Sequence, residues 1–176
     1  MIAGGLIGIA TAVASVDYLG SSPVGEGSTW QSYDVADESA AAFYSNAHYL
    51  LGGRLPPAPG QQQEMTTGRD SDGNLLSADC AYLVSGDSWN HVWWSIATAA
   101  DNGVTPRVAA MLTSDQAVFN SDDSLWLTVS QAPAPGNWIR PPANRNFVLI
   151  FTAAGESGLA MQEPLPDIKV TKGACP

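Results

Sequence analysis

The side chains with chemistry to offer in this 176-residue sequence are two histidines, two cysteines, 17 carboxylates and six tryptophans. Zinc-type sites gather ligands at short spacings, and His48 and His91 form neither an HxH nor an HExxH arrangement. Both read as ordinary surface or interface histidines. Asp70, Asp72 and Asn74 alternate oxygen side chains as a calcium loop does, but Gly73 stands fourth rather than sixth and no Glu follows at the twelfth position. An Asp-Gly hairpin turn explains them better, and Asp122-Asp123 reads as a turn too. No GxSxG elbow surrounds a serine. Pairs of carboxylates for acid/base work depend on convergence that spacing does not reveal. No catalytic residue, metal or cofactor is assigned, and the expectation is a protein that is not an enzyme.

The tryptophans are the strongest positive feature. Trp93 and Trp94 are consecutive in a strand-like run, so they point to opposite faces, one able to fill the core while the other faces outward or meets a helix. Trp138 sits in a stiff loop before Arg140-Pro141-Pro142, and Trp30 and Trp89 fall near element edges. Core burial accounts for most tryptophans in a small domain. The functional alternative makes Trp30, Trp89, Trp138 and Arg140 a candidate docking surface for a partner protein, a sugar ring or the membrane interface.

The elements that must position these residues follow from periodicity. Asp37 can cap a helix whose Ala40, Phe43, Ala47 and Leu50 form one apolar stripe and which Gly52-Gly53 ends before Pro56-Pro57. Beyond Gln63 the pattern becomes short apolar or alternating runs separated by turn residues. Strands are expected at 64–69, 79–85, 91–99, 108–112, 117–120, 125–130, 147–152 and 168–171. Turns fall at Asp72-Gly73, Gly86-Asp87, Asp101 to Gly103, Ser121 to Asp123 and Pro133 to Gly136. With no helices between them, these strands predict an all-β, antiparallel sandwich or jelly roll with one short helix.

The charges are unevenly placed. Seven Lys+Arg against 17 Asp+Glu give a net charge of −10, which disfavours nucleic acid and a basic lipid-docking patch. Met1 to Val16 carries no ionisable side chain. As a helix it would be about 24 Å long, and continuing to Gly20 would bring it to about 30 Å, a bilayer's hydrocarbon thickness. Gly4, Gly8 and Ala12 form a small-residue stripe suited to close helix packing. Residues 1–20 therefore read as a transmembrane anchor, with a cleaved signal peptide or a buried helix as alternatives. Residues 21–27 read as a linker and 28–176 as the domain. Cys80 and Cys175 lie in no metal-type spacing and pair in an oxidising compartment. Their bridge would close about 95 residues, which chain entropy values at about 4.6 kcal/mol.

Three runs together carry a family likeness: DSDGNLLSADCAYLVSG at 70–86, HVWWSIATAADNG at 91–103 and GNWIRPPANRNFVLIF at 136–151. With LLGGRLPP at 50–57 and the closing GACP at 173–176, the sequence resembles the DUF1214 family in a short form with one amino-terminal membrane segment. The resemblance implies a jelly-roll-like β-sandwich and an envelope location, and it supplies no established catalytic residues. Departures are visible. Asn90-His91 stands where an arginine commonly precedes the aromatic strand, and Phe151-Thr152-Ala153 where an arginine and a tyrosine are frequent. A shared polar ligand site on those arginines would be lost here, which favours a structural role.

The expectation is thus a single-pass protein of the cytoplasmic membrane with its main domain on the periplasmic, extracytoplasmic side. Its function would be that of an accessory subunit stabilising a larger membrane complex, photosynthetic and respiratory assemblies being suitable hosts. Its partners would be membrane subunits and the bilayer, with no nucleic acid. The alternatives are a binding module for a glycan or apolar ligand and, behind it, a carboxylate-using envelope enzyme.

Overall fold

The computed structural model describes residues 2–33, 40–86, 93–101, 107–143, 146–155 and 165–175. Two helices, α1 (Ile2–Gly20) and α2 (Ala40–Leu51), accompany two sheets. Ten strands make up the sheets, namely β1 (Ser22–Pro23), β2 (Gln31–Ser32), β3 (Gln62–Thr67), β4 (Tyr82–Gly86), β5 (Trp93–Ala100), β6 (Arg107–Thr113), β7 (Leu125–Val129), β8 (Asn137–Ile139), β9 (Phe147–Ala154) and β10 (Ile168–Lys172). A six-stranded sheet has the order β1-β2-β3-β9-β5-β6, and a four-stranded sheet has the order β10-β4-β7-β8. All pairings are antiparallel except β7 with β8.

The alternation of apolar side chains decides which face of each strand is inside. Val84, Leu125, Leu127, Val129, Ile139, Ile168 and Val170 from the small sheet meet Met65, Trp94, Ile96, Leu149 and Phe151 from the large one, forming one core. Trp94 stacks on Phe151 with ring centroids 6.3 Å apart, and Tyr82 meets Phe147 edge-on at 5.8 Å. Trp93 points to the opposite face and remains partly exposed, as the alternation requires.

Two hinge points of the sandwich are set by side chains in turns. The Asp70 carboxylate is buried and accepts from the Asp72 and Asn74 amides at 3.1 and 2.8 Å. With Gly73 at a φ of 86°, this builds the turn the Asp-Gly pair implied. Cys80 and Cys175 form the expected disulfide. Beside it, Ala81 N–H donates to Ala174 O and Gly173 N–H to Ala81 O, both at 2.8 Å, so the last residues extend the β10–β4 pairing.

Several expectations need correction. Among the described residues no helix is long and apolar enough to cross a membrane. The expected segment is helical, and its end is committed to α2. There Ser45 Oγ donates to Gly20 O at 2.6 Å, and a Cβ on Gly20 would come within 2.8 Å of the Tyr44 and Ser45 backbone. The α2 stripe is also reversed: Ala42, Ser45 and Tyr49 are buried, whereas Phe43 and Leu50 face out. The small side chains of Ala42 and Ser45 allow α1 to approach, which outweighs burial of the larger apolar ones. The stretch read as a linker contains β1, paired with β2. Residues 117–120 make no strand, because Val118 is tied by its N–H and C=O to the Asn137 side chain at 2.8 and 2.7 Å. The loop expected around Trp138 instead contains β8.

Candidate functional site

The outer face of the four-stranded sheet collects the exposed aromatic chemistry. Because Val84, Leu127 and Val170 point inward, their neighbours Leu83, Ser85, Trp126, Thr128, Lys169 and Thr171 point out. Lys169, Ser85 and Trp126 lie in one row across three strands, and Thr171, Leu83, Thr128 and Trp138 in the next. Trp126 is 60 % exposed. Trp138 is half-buried and fixed, its indole N–H donating to Ser130 O at 3.0 Å and to Ser130 Oγ at 3.2 Å. The Arg140 guanidinium lies 5.5 Å over the Trp138 ring, while the Arg140 carbonyl accepts from the Thr98 hydroxyl at 2.7 Å. The structure thus brings Trp138 and Arg140 together. Trp126, which sequence reasoning passed over, joins them. The alternation Leu125-Trp126-Leu127-Thr128-Val129 carried the signal, since a tryptophan between two inward leucines must face out.

Trp30 does not belong to that surface. It is 2 % exposed, packed in the core, and donates its indole N–H to Ile168 O at 2.8 Å. Trp89 and His91 lie outside the described residues. Of Gly4 only its place in α1 is described, while Gly8 and Ala12 are exposed, with no other part of the chain within 4 Å of a Cβ built on Gly8.

A second cluster lies where α2 meets β3. Tyr33 stacks on His48 with centroids 3.8 Å apart, and Arg54 sits 5.0 Å over the Tyr49 ring. One Arg54 nitrogen donates to both Glu64 oxygens, at 3.0 and 3.1 Å. Burial pushes the Tyr49 phenol far above its usual value, and the Glu64 carboxylate adds to this. The Tyr49 hydroxyl meets no partner at hydrogen-bonding geometry. A phenol so strongly held protonated cannot serve as a base near neutral pH, and Glu64 is neutralised by Arg54. The cluster therefore clamps α2 to the large sheet. Nothing in the sequence announced it, because a glycine- and proline-containing connection separates its members.

A cleft of about 400 Å³ opens beside the β2 and β10 edges, with Trp30 and Met65 among its lining residues and Glu26, Ser28, Asp167 and Lys169 contributing polar groups. No group of three metal-ligating side chains occurs among the described residues. Asp122 is spent on its own turn: the Ser124 hydroxyl and amide, at 2.7 and 3.2 Å, hold its carboxyl below the usual range.

Two facing sheets and a disulfide-tied C-terminus define a β-sandwich. The chain belongs to the DUF1214 family, described as a protein of unknown function, whose match covers residues 61–155. No curated protein matches the sequence. Among solved structures it is similar to the VPA0106 protein from Vibrio parahaemolyticus, at 17 % identity and a TM-score of 0.54, over 77 % of this chain and 36 % of that one. It is also similar to an uncharacterised protein from Burkholderia cenocepacia, at 18 % identity and a TM-score of 0.47, over 63 % of this chain and 28 % of that one. The chain spans about a third of the length of these structures. At such identity the likeness to VPA0106 concerns the fold alone.

Proposed function

We propose that this chain is an extracytoplasmic accessory subunit that attaches, through its helical pair, to a membrane protein assembly and has no catalytic role of its own. The observation that carries this is the apolar surface left on the pair. Tyr18 of α1 is 83 % exposed, and Phe43 and Leu50 of α2 are 73 % and 64 % exposed, with Gly8 and Ala12 open to close approach by another helix. Contiguous exposed apolar side chains mark an interface, and small residues let a second helix backbone come near. The Cys80–Cys175 bridge supports placement in an oxidising compartment.

Extraction of the native protein in mild detergent tests the reading. The expected result is co-purification with membrane subunits at fixed stoichiometry, abolished by the combined Gly8→Leu and Ala12→Leu changes while the β-domain keeps its disulfide and its melting transition. A monomer without partners would overturn it.

A further inference from the structure

We propose that the outer face of the four-stranded sheet binds an acidic polysaccharide, with sugar rings on Trp126 and Trp138 and anionic groups on Lys169 and Arg140. The inference is independent of attachment through the helices.

Charge placement carries the argument. In a chain of net charge −10, strands β4, β7, β8 and β10 contain no Asp or Glu. Of its seven Lys+Arg, Lys169 on β10 and Arg140 directly after β8 border this face, whereas Lys172 alternates to the side of Ile168 and Val170. The carboxylate nearest in sequence, Asp167, precedes β10 at the end of the sheet opposite Arg140 and lies two residues before Lys169, with which it lines the cleft. Among the described residues no ion pair engages these cations, the pair present being Arg54–Glu64. The face thus offers positive charge along both borders and indoles between them.

The indole arrangement selects the ligand class. Trp126 and Trp138 are diagonal neighbours on adjacent strands, about 7–8 Å apart at the backbone, and Lys169 stands roughly 10 Å from Trp126, two strand spacings away. Ser85, Thr128 and Thr171 put hydroxyls between them. Flat aromatic faces accept the C–H face of a sugar ring, hydroxyls pair with its substituents, and the bordering cations meet carboxylates along the chain. A membrane surface would instead be met by protruding apolar loops with a larger basic patch. Single-stranded nucleic acid combines stacking with a denser run of cations than two.

Titration of the full chain with polygalacturonate oligomers, followed by tryptophan fluorescence and calorimetry, tests this. Saturable quenching is expected, with at least tenfold weaker binding of dextran oligomers of equal length. Trp126→Ala should weaken binding at least tenfold and Trp126→Phe partly restore it. The Lys169→Gln, Arg140→Gln double variant should weaken binding and flatten its salt dependence. These substitutions are at exposed positions, and an unchanged melting temperature verifies that each variant is folded. Absence of saturable binding, equal binding of dextran, or unchanged affinity in Trp126→Ala would overturn the proposal. Preferential binding of phosphatidylglycerol vesicles or oligothymidylate would also overturn it and assign the face to that partner.

Discussion

Tyr49, Arg54 and Glu64 show how a cluster with reactive side chains becomes structural through its protonation states. The phenol of Tyr49 titrates above its ordinary value of 10.0 because burial disfavours the phenolate and Glu64 repels it. The folded state therefore keeps its proton at a pH where the unfolded chain loses it. This contribution is fully present below pH 10 and is lost as pH rises beyond it, by up to about 1.4 kcal/mol per pH unit. Tyr49→Phe should remove that part of the alkaline sensitivity. Because the hydroxyl is buried without a partner, the substitution should leave stability at pH 7 unchanged or raise it by about 1 kcal/mol. Denaturant titrations of both proteins at pH 7 and 10.5 read the two effects. Glu64→Gln acts oppositely, leaving the half-buried Arg54 guanidinium without its counter-charge. It should cost about 1–3 kcal/mol at pH 7, and a loss below 0.5 kcal/mol in the same assay would remove the clamp from the account.

At the scale of elements, the contact between α1 and α2 depends on an absent side chain. A Cβ at Gly20 would fall 2.8 Å from backbone atoms of Tyr44 and Ser45, which cannot swing aside as a side chain can. Gly20→Val should therefore part the helices and break the Ser45–Gly20 hydrogen bond, at a cost of about 1–3 kcal/mol. Hydrogen exchange should report faster amides in α2 and unchanged ones in β5 and β9. The same pair marks what could be read from sequence. Strands β5, β7, β9 and β10 were legible because an inward apolar residue at every second position has one physical cause, the pleat. The face of α2 was not legible: hydrophobicity favoured Phe43 and Leu50, but fit against α1 selected Ala42 and Ser45. Strand β8 was concealed because three residues bracketed by prolines and glycine resemble a loop until a parallel neighbour supplies its hydrogen bonds. Of the candidate site, Trp138 and Arg140 were visible as types, whereas Trp126 needed the strand's alternation to be applied to an aromatic residue.

At the scale of the molecule, the disulfide decides whether the two sheets keep a common core. Cys175 is tied to Cys80 across a separation of 95 residues, and between them lie the strands β4 to β10. Among the described residues β10 is an edge strand paired with β4, yet it supplies Ile168 and Val170 to the core and the carbonyl that holds the Trp30 indole. Without the bridge, that edge is retained by five paired residues, the backbone bonds beside Ala81 and the two hydrogen bonds between Val170 and Ser71. The Cys80→Ser, Cys175→Ser double variant should lose about 2–5 kcal/mol. The loss should begin locally, with early solvent exposure of Trp30 as β10 frays and the cleft at its edge opens. Thermal unfolding followed by tryptophan emission and by far-ultraviolet circular dichroism distinguishes the cases. Emission should shift red at a lower temperature than the sheet signal decays in the variant, and the two transitions should coincide in the parent. Coincident transitions in both proteins would mean that the bridge acts only on the unfolded chain and leaves the β10 edge as secure as before.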